Sequence, residues 1–371
     1  MKKIPLVKPE FNVAKLSKAL RDIARSGILT KGKYLAEFEQ KLKDYLKVKY
    51  VFATSSCTTA LHLGLLAMGV KDGDEVLVSD FSFPASGNVI AQIGAKPVFV
   101  DIDLDTLCIN LDDLKSKITS KSKAAMIVHP FGYPANMTEI MKIAQKHKLK
   151  VLEDAACALG SKHHNEPCGA WGDVGCFSFH PRKNITTGEG GALVTNDPKI
   201  AEKIEILRNH GGQKTPRGWK FIEIGYNYRL SELSAALGVE QMAKLDKIDA
   251  ERKKVARKYL QKLESLSDIK LPHEPKAGDF NFQSFIIILP EKVDRDDLVK
   301  YMLRKNIETV LGTYAMHSEP SYRQYGYKPG DCPNSFYAYK HTLTLPLFAK
   351  LSETQMNHIV KTLKTYLEQP K

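Results

Sequence analysis

The chain lacks any apolar run long enough to cross a bilayer. Its longest purely apolar strand-like segment, Phe285-Ile-Ile-Ile-Leu289, falls far short of the ~20 residues a spanning helix requires. Lysines near the N-terminus are not followed by an apolar signal core, so nothing directs export and a cytoplasmic location is the expectation. The six cysteines, Cys57, Cys108, Cys157, Cys168, Cys176 and Cys332, show no regular disulfide spacing and read as reduced thiols. No Cys-x-x-Cys pair occurs. Cys157, Cys168 and Cys176 with His163, His164 and His180 match no standard metal spacing, and no metal is expected. The formal charge is +13, from 55 Lys+Arg against 42 Asp+Glu. That excess is spread along the chain without a basic arm, a basic-aromatic repeat or a zinc-finger pattern, which argues against nucleic acid as a partner. A Lys-rich solvated surface accounts for it, and such a surface also suits small dianionic ligands. Internal repeats and low-complexity tracts are missing too.

What remains is an ordinary globular composition, with 43% hydrophobic and 26% charged residues in 371. At ~100–200 residues per domain this suggests two domains. Strand patterns at Tyr50–Ala53, Glu75–Val78, Pro97–Val100, Ala124–Val128 and Val151–Leu152 alternate with helical stretches such as Met137–Lys148. The alternation predicts an α/β fold with a mostly parallel central sheet and helices on both faces. From Ser231 to about Ser265 the pattern turns helical and charged, a connecting helix broken near Leu245. Strand patterns at Phe282–Leu289 and Thr342–Leu347, with helices at Arg295–Lys305 and Ser352–Leu367, predict a smaller C-terminal α+β domain. The division falls at residues 1–245 and 246–371.

One segment carries most of the chemistry: Phe177-Ser-Phe-His-Pro-Arg-Lys183-Asn-Ile-Thr-Thr-Gly-Glu-Gly-Gly191. It places Lys183 between a strand end and a Gly-rich turn, with the apolar strand Ala192–Thr195 following at once. Lysine forms Schiff bases with carbonyl cofactors once burial or a cationic neighbour lowers its pKa. Pyridoxal 5'-phosphate is the reading, against the alternative of a structural lysine beside a tight turn. Such a cofactor also needs a carboxylate for its pyridine nitrogen, an anion hole and a surface over the ring. Asp154, at the end of the strand pattern in Lys150-Val-Leu-Glu-Asp154, can be that carboxylate or the N-cap of a following helix. Ser56, Thr58 and Thr59 open the apolar helical run from Leu61, offering hydroxyls, free N–H groups and the positive dipole end to a phosphate, or merely a cap. Ser178 adds a hydroxyl, and Phe81 and Phe83 offer aromatic surface at a strand end.

The chain resembles the DegT/DnrJ/EryC1/StrS family of sugar aminotransferases, from Ile4-Pro-Leu through Leu345-Pro-Leu347. The motifs that carry this are Gly32-Lys-Tyr-Leu-Ala-Glu-Phe38-Glu39, Gly94-Ala-Lys-Pro-Val-Phe-Val-Asp101-Ile-Asp103, Glu153-Asp154-Ala-Ala, the Phe177–Gly191 segment and Gly225-Tyr-Asn227-Tyr-Arg229. The resemblance implies a fold-type I, aspartate-aminotransferase-like architecture. It implies Lys183 as the Schiff-base lysine, Asp154 as partner of the pyridine nitrogen and Phe83 as the stacking aromatic. Thr58, Thr59 and Ser178 match phosphate binders, and Asn227 matches a residue that reaches the cofactor phosphate of a neighbouring subunit, so a homodimer with shared active sites is implied. Cys157 stands where the family usually has Gln or His near the cofactor's phenolic oxygen. Arg229, Tyr314 and His317 are candidates for substrate contact. Some relatives carry His at the lysine position and act as 3-dehydratases, so Lys183 argues for transamination. The implied reaction moves an amine from an amino acid, glutamate by resemblance, to a nucleotide-linked 4-keto-6-deoxyhexose, in cell-surface polysaccharide or related sugar biosynthesis. A non-nucleotide ketone, or a non-catalytic ligand-sensing role, is the alternative.

Overall fold

The computed structural model describes residues 2–368. Seven strands form its central sheet: β1 (Tyr50–Thr54), β2 (Glu75–Ser79), β3 (Lys96–Val100), β4 (Ser122–Val128), β5 (Lys150–Asp154), β6 (Val174–Ser178) and β7 (Gly191–Thr195). Their order is β1-β7-β6-β5-β4-β2-β3. The neighbours from β6 to β3 pair in parallel, whereas β7 runs antiparallel to both β6 and β1. This is the mostly parallel sheet that the strand–helix alternation predicts. The reversal at β7 has a local cause. The connection from Phe179 to Gly190 contains no helix, so nothing carries the chain back across the sheet for a parallel return.

Period-two alternation assigns the strand side chains to two cores. On β4, Ala124 and Met126 pack with Leu61, Val76 and Leu152 on one face. Ala125 and Ile127 pack with Leu77, Ile140 and Val151 on the other. All five β2 residues are buried, as expected for a strand covered on both faces. The Cys57–Ala67 helix lies close against the first face at Gly64, where a Cβ would come within 2.8 Å of Leu152 Cδ1.

The connecting helix is broken as its sequence suggests, into Glu232–Met242 and Leu245–Leu263. Beyond it, the strands Phe285–Ile288, Thr342–Leu345 and Val310–Leu311 form an antiparallel sheet. Its core includes Tyr259, Leu298, Met302, Ile359 and Leu363, and Ile4 from the other end of the chain joins it. This part does not keep to itself. Tyr314–Ala315 pairs with Phe81–Ser82, and Met316, Tyr322 and Cys332 enter the core beneath the central sheet. A hairpin at Gly212–Thr215 and Gly218–Phe221, absent from the sequence reading, projects exposed Trp219 and Phe221. Among the described residues no helix is long and apolar enough to cross a membrane.

Candidate active site

A cavity of about 560 Å³ opens at the carboxyl ends of the parallel strands, where open α/β sheets bind ligands. Most of its polar lining comes from residues at or just beyond strand ends. Ser56 and Thr58 follow β1, Phe83 and Ser86 follow β2, and His129 follows β4; Asp154 closes β5, Ser178 closes β6, and Lys183 lies on the turn into β7. The cavity therefore brings together Lys183, Asp154, Cys157, Phe83, Thr58 and Ser178, six of the residues named from sequence.

The two adjacent acids at the end of β5 are separated by the pleat. Glu153, fully buried, accepts N–H bonds from Gly169 (2.8 Å), Trp171 (2.7 Å) and Gly172 (2.8 Å) and pairs with His129 Nε2 at 3.0 Å. It is a structural anchor for a turn. Asp154, on the opposite face, lines the cavity. Its Oδ2 accepts the Ser86 hydroxyl at 2.7 Å, and Ser82 Oγ lies 2.9 Å from Ser86 Oγ. Its Oδ1 accepts the Ala156 N–H at 3.2 Å, a local turn bond rather than a helix cap. Ser86 was not singled out from sequence, because a serine after an aromatic strand end carries no signal of its own.

Lys183 is held from both sides. Gln283 Nε2 donates to the Arg182 carbonyl at 2.7 Å, and Asn184 Nδ2 donates to Asp249 Oδ1 at 2.6 Å. The turn beyond is knit by the Thr186 hydroxyl to the Phe179 carbonyl (2.8 Å) and by the Thr187 hydroxyl to the Glu189 carbonyl (2.8 Å). Lys183 Nζ sits 3.0 Å from Cys157 Sγ. Burial opposes the ammonium charge, but the sulfurs of Cys157 and Cys57 and the Asp154 carboxylate favour it, and the balance lies above the ordinary lysine value. The sequence expectation was the reverse. It weighed burial and cationic neighbours, whereas the groups around the amine are potential anions.

The Cys57–Ala67 helix starts at the cavity. Ser56 caps it, accepting the Thr59 N–H at 3.2 Å, and the Thr59 hydroxyl is drawn back to the Ser56 carbonyl (2.8 Å) and N–H (3.1 Å). Thr59 is thus spent on the cap and does not line the cavity, whereas Ser56, Cys57 and Thr58 do. Gly191 packs against this turn so closely that a Cβ would stand 2.4 Å from the Ser56 carbonyl carbon and 2.5 Å from the Cys57 nitrogen. Exposed Phe83 meets Tyr314 edge-on, with ring centroids 6.3 Å apart. Hydroxyls and N–H groups at a helix start, a buried carboxylate and an amine in one cavity are the donor set pyridoxal phosphate needs.

The substrate candidates fare differently. His317 is buried away from the cavity: its Nδ1 pairs with Asp80 Oδ2 at 2.6 Å and its Nε2 faces the Pro329 carbonyl at 3.3 Å. It is a structural link, and reading it as a substrate contact is corrected. Asp80, His317 and Cys332 lie close enough together to suggest a metal cluster, but both imidazole nitrogens are already engaged. Arg229 donates to Asn209 Oδ1 at 2.6 Å and Tyr314 pairs with Ser82 in a short ladder; neither lines the cavity. Asn227 is exposed and likewise stays outside the cavity of its own chain. Leu6, Val7, Val310, Thr313 and Leu347, none named from sequence as a site residue, also line the cavity.

The chain is similar to known proteins over nearly its whole length. The GDP-perosamine synthase of Escherichia coli O157:H7 is 33% identical over 367 residues, covering 99% of both chains. A Streptococcus pneumoniae chain, Spr1654, described as a sugar aminotransferase and solved in PMP and PLP forms, superposes with a TM-score of 0.93 for the former. It is 26% identical, over 98% of this chain and 97% of that one. DesI, solved in the presence of its TDP-sugar product, gives a TM-score of 0.91 at 27% identity over 98% and 93%. The family model of the DegT/DnrJ/EryC1/StrS aminotransferases matches residues 12–364. By that match over residues 12–364 the chain belongs to that family and is a pyridoxal-phosphate-dependent aminotransferase, with a lysine, a buried carboxylate and a helix start gathered in one cavity.

Proposed function

We propose that the protein transfers the amino group of an amino acid, glutamate, to the keto carbon of a nucleotide-linked sugar, a 4-keto-6-deoxyhexose. The observation that carries this is the shared cavity of Lys183 and Asp154, roomy enough at about 560 Å³ for a cofactor and a sugar side by side. Two of the relatives described above are named for GDP- or TDP-sugars, and the net positive charge favours dianionic ligands.

Pyridoxal phosphate, when bound, supplies the carbonyl that takes up the amine and a ring that accepts electron density from the reacting carbon. The chain does the rest. Asp154 holds a proton at the pyridine nitrogen, since a carboxylate beside it favours the charged form. Ser86 and the Ala156 N–H fix that carboxylate's orientation. Ser56, Thr58, Ser178 and the helix N–H groups hold the phosphate. Phe83 covers the ring. Lys183 Nζ would hold the cofactor's carbonyl end and would move the proton at the reacting carbon. The active unit in this reading is a homodimer in which Asn227 serves the neighbour's phosphate.

Two measurements test this. Borohydride reduction should fix the cofactor's mass on the peptide containing Lys183; an adduct on another lysine overturns the assignment. Incubation with glutamate and a panel of UDP-, GDP- and dTDP-linked 4-keto sugars, read by mass, should exchange the keto oxygen of one of them for an amine. Amination of a non-nucleotide ketone with none of the panel touched would sink the sugar-nucleotide reading.

A further inference from the structure

Of the six cysteines five are buried; Cys157 is the partly open one, and it faces the active-site cavity. The sulfur is not isolated. Lys183 Nζ lies 3.0 Å away, donating to it, in a space that a small oxidant can enter. The other cavity cysteine, Cys57, is buried, and burial pushes its thiol well up, which disfavours its reaction. Cys157 therefore combines two things: access from the cavity and an amine nucleophile at contact distance.

From this pairing we infer that Cys157 and Lys183 form a modification site at which a peroxide closes a covalent sulfur–nitrogen bond, a sulfenamide, that takes the lysine out of service. The chemistry balances without further reagents. The Cys157 thiolate attacks hydrogen peroxide, the O–O bond breaks, sulfur loses two electrons and becomes the sulfenic acid, and hydroxide leaves. The hydroxide takes the proton of the Lys183 ammonium, giving water and a neutral amine. Loss of the thiolate charge favours that proton transfer, because the ammonium has lost its neighbouring anion. The amine then attacks sulfur, the N–S bond forms, the S–O bond breaks, and a second water leaves. A sulfenic acid condenses in this manner with a nearby nitrogen. An added thiol reverses the product by attacking sulfur and returning the amine.

The site has a built-in dependence on cofactor state, a point that rests on Lys183 being the cofactor-bearing lysine. While Nζ is bonded to the cofactor it cannot attack sulfur. When the cofactor is absent or in its amine form, Nζ is free. Oxidation therefore strikes the enzyme between half-reactions or before loading.

The experiment exposes the full-length protein, stripped of cofactor or loaded with pyridoxal phosphate, to stoichiometric hydrogen peroxide and reads tryptic peptides by mass. In the stripped protein a linked pair should appear, joining the Cys157 and Lys183 peptides, two hydrogens lighter than their sum and split by dithiothreitol. Loading should lower its yield at least about tenfold, and Cys157→Ser should abolish it. Where Cys157→Ser does not fold, Lys183→Gln serves instead: dimedone should then trap the sulfenic acid that the wild-type amine consumes. Cys157 recovered as a sulfinic acid or in a disulfide with Cys57, with Lys183 free, overturns the inference, as does a linked pair that retains oxygen. A linked pair formed equally with and without cofactor supports the site but rejects Lys183 as the cofactor's attachment point, which the borohydride adduct tests separately.

Discussion

Ser86 donates its hydroxyl to Oδ2 of Asp154 over 2.7 Å, with both side chains buried. A hydrogen bond to a charged group contributes roughly 1.5–3 kcal/mol, and a buried carboxylate deprived of it is free to turn. Ser86→Ala should therefore lower kcat/KM about tenfold to a hundredfold, at 1.4 kcal/mol per tenfold. Ser82→Ala, one bond further out, should cost less. Steady-state kinetics on both variants decide this, and wild-type rates in Ser86→Ala would show that the hydroxyl does not position Asp154.

Asp154→Asn keeps the shape of the side chain but removes the negative charge and leaves a single acceptor oxygen where Ser86 and Ala156 each donate to one of two. It should retain most cofactor binding yet slow the first half-reaction by orders of magnitude, because nothing then holds a proton on the ring nitrogen. Stopped-flow absorbance with glutamate reads this directly. A rate close to wild type rejects the role.

Gly191 supplies a different test, at the phosphate end. A methyl there would stand 2.4 Å from the backbone of Ser56, a distance that only movement of the helix start can relieve. Gly191→Ala should weaken cofactor retention, read as loss of bound cofactor on dialysis, and destabilise the protein by roughly 1–3 kcal/mol through overpacking. Unchanged retention would place the phosphate elsewhere.

The site's legibility in the sequence follows from how local each signal is. Lys183, Asp154, Thr58 and Ser178 sit at strand ends within short motifs, and the parallel sheet gathers strand ends at one edge, so naming them needed only the βα pattern and the resemblance. Thr59 belongs to the same motif, but whether its hydroxyl faces ligand or cap depends on helix phase, and the cap won. His317 was misplaced because its partner Asp80 lies 237 residues away in sequence and no local pattern links them. The antiparallel β7 was likewise hidden, since an apolar strand reads the same in either direction.

Asp249 links pH to the lysine turn. It accepts from Asn184, next to Lys183, and burial pushes its carboxyl up to about 7 although the Asn184 bond and the Arg252 and Lys253 charges pull the other way. In the unfolded chain an Asp titrates near 3.9. Between about 4 and 7 the folded protein holds a proton the unfolded chain has lost, so this group's contribution to stability is present at low pH and declines as pH rises through 7. Asp249→Asn should remove the decline, becoming more stable relative to wild type as pH goes from 5 to 8. Thermal melts of the pair across that range check it; a constant difference would mean Asp249 is already ionised in the fold at pH 5.

Asn227 bears on the proposed assembly. It is exposed, its backbone bridges to Asn209, and it does not line the cavity of its own chain. The same stretch of chain carries Trp219, Phe221 and Ile224 at 54%, 65% and 92% exposure, a concentration of apolar surface that calls for a covering partner. A second copy is the occupant that also gives Asn227 a task, at the neighbour's phosphate. Lys183→Ala removes the reactive amine, and Asn227→Asp sets a carboxylate near a phosphate, a like-charge contact that weakens cofactor binding. Each variant alone should be inactive or nearly so. Mixed after dissociation, they should regain up to about a quarter of wild-type activity, because in a symmetric dimer half of the assemblies are hybrids and each hybrid has one site with both native residues. If Asn227 only shapes its own loop, mixing restores nothing, and an active monomer by light scattering would dispose of the shared site altogether.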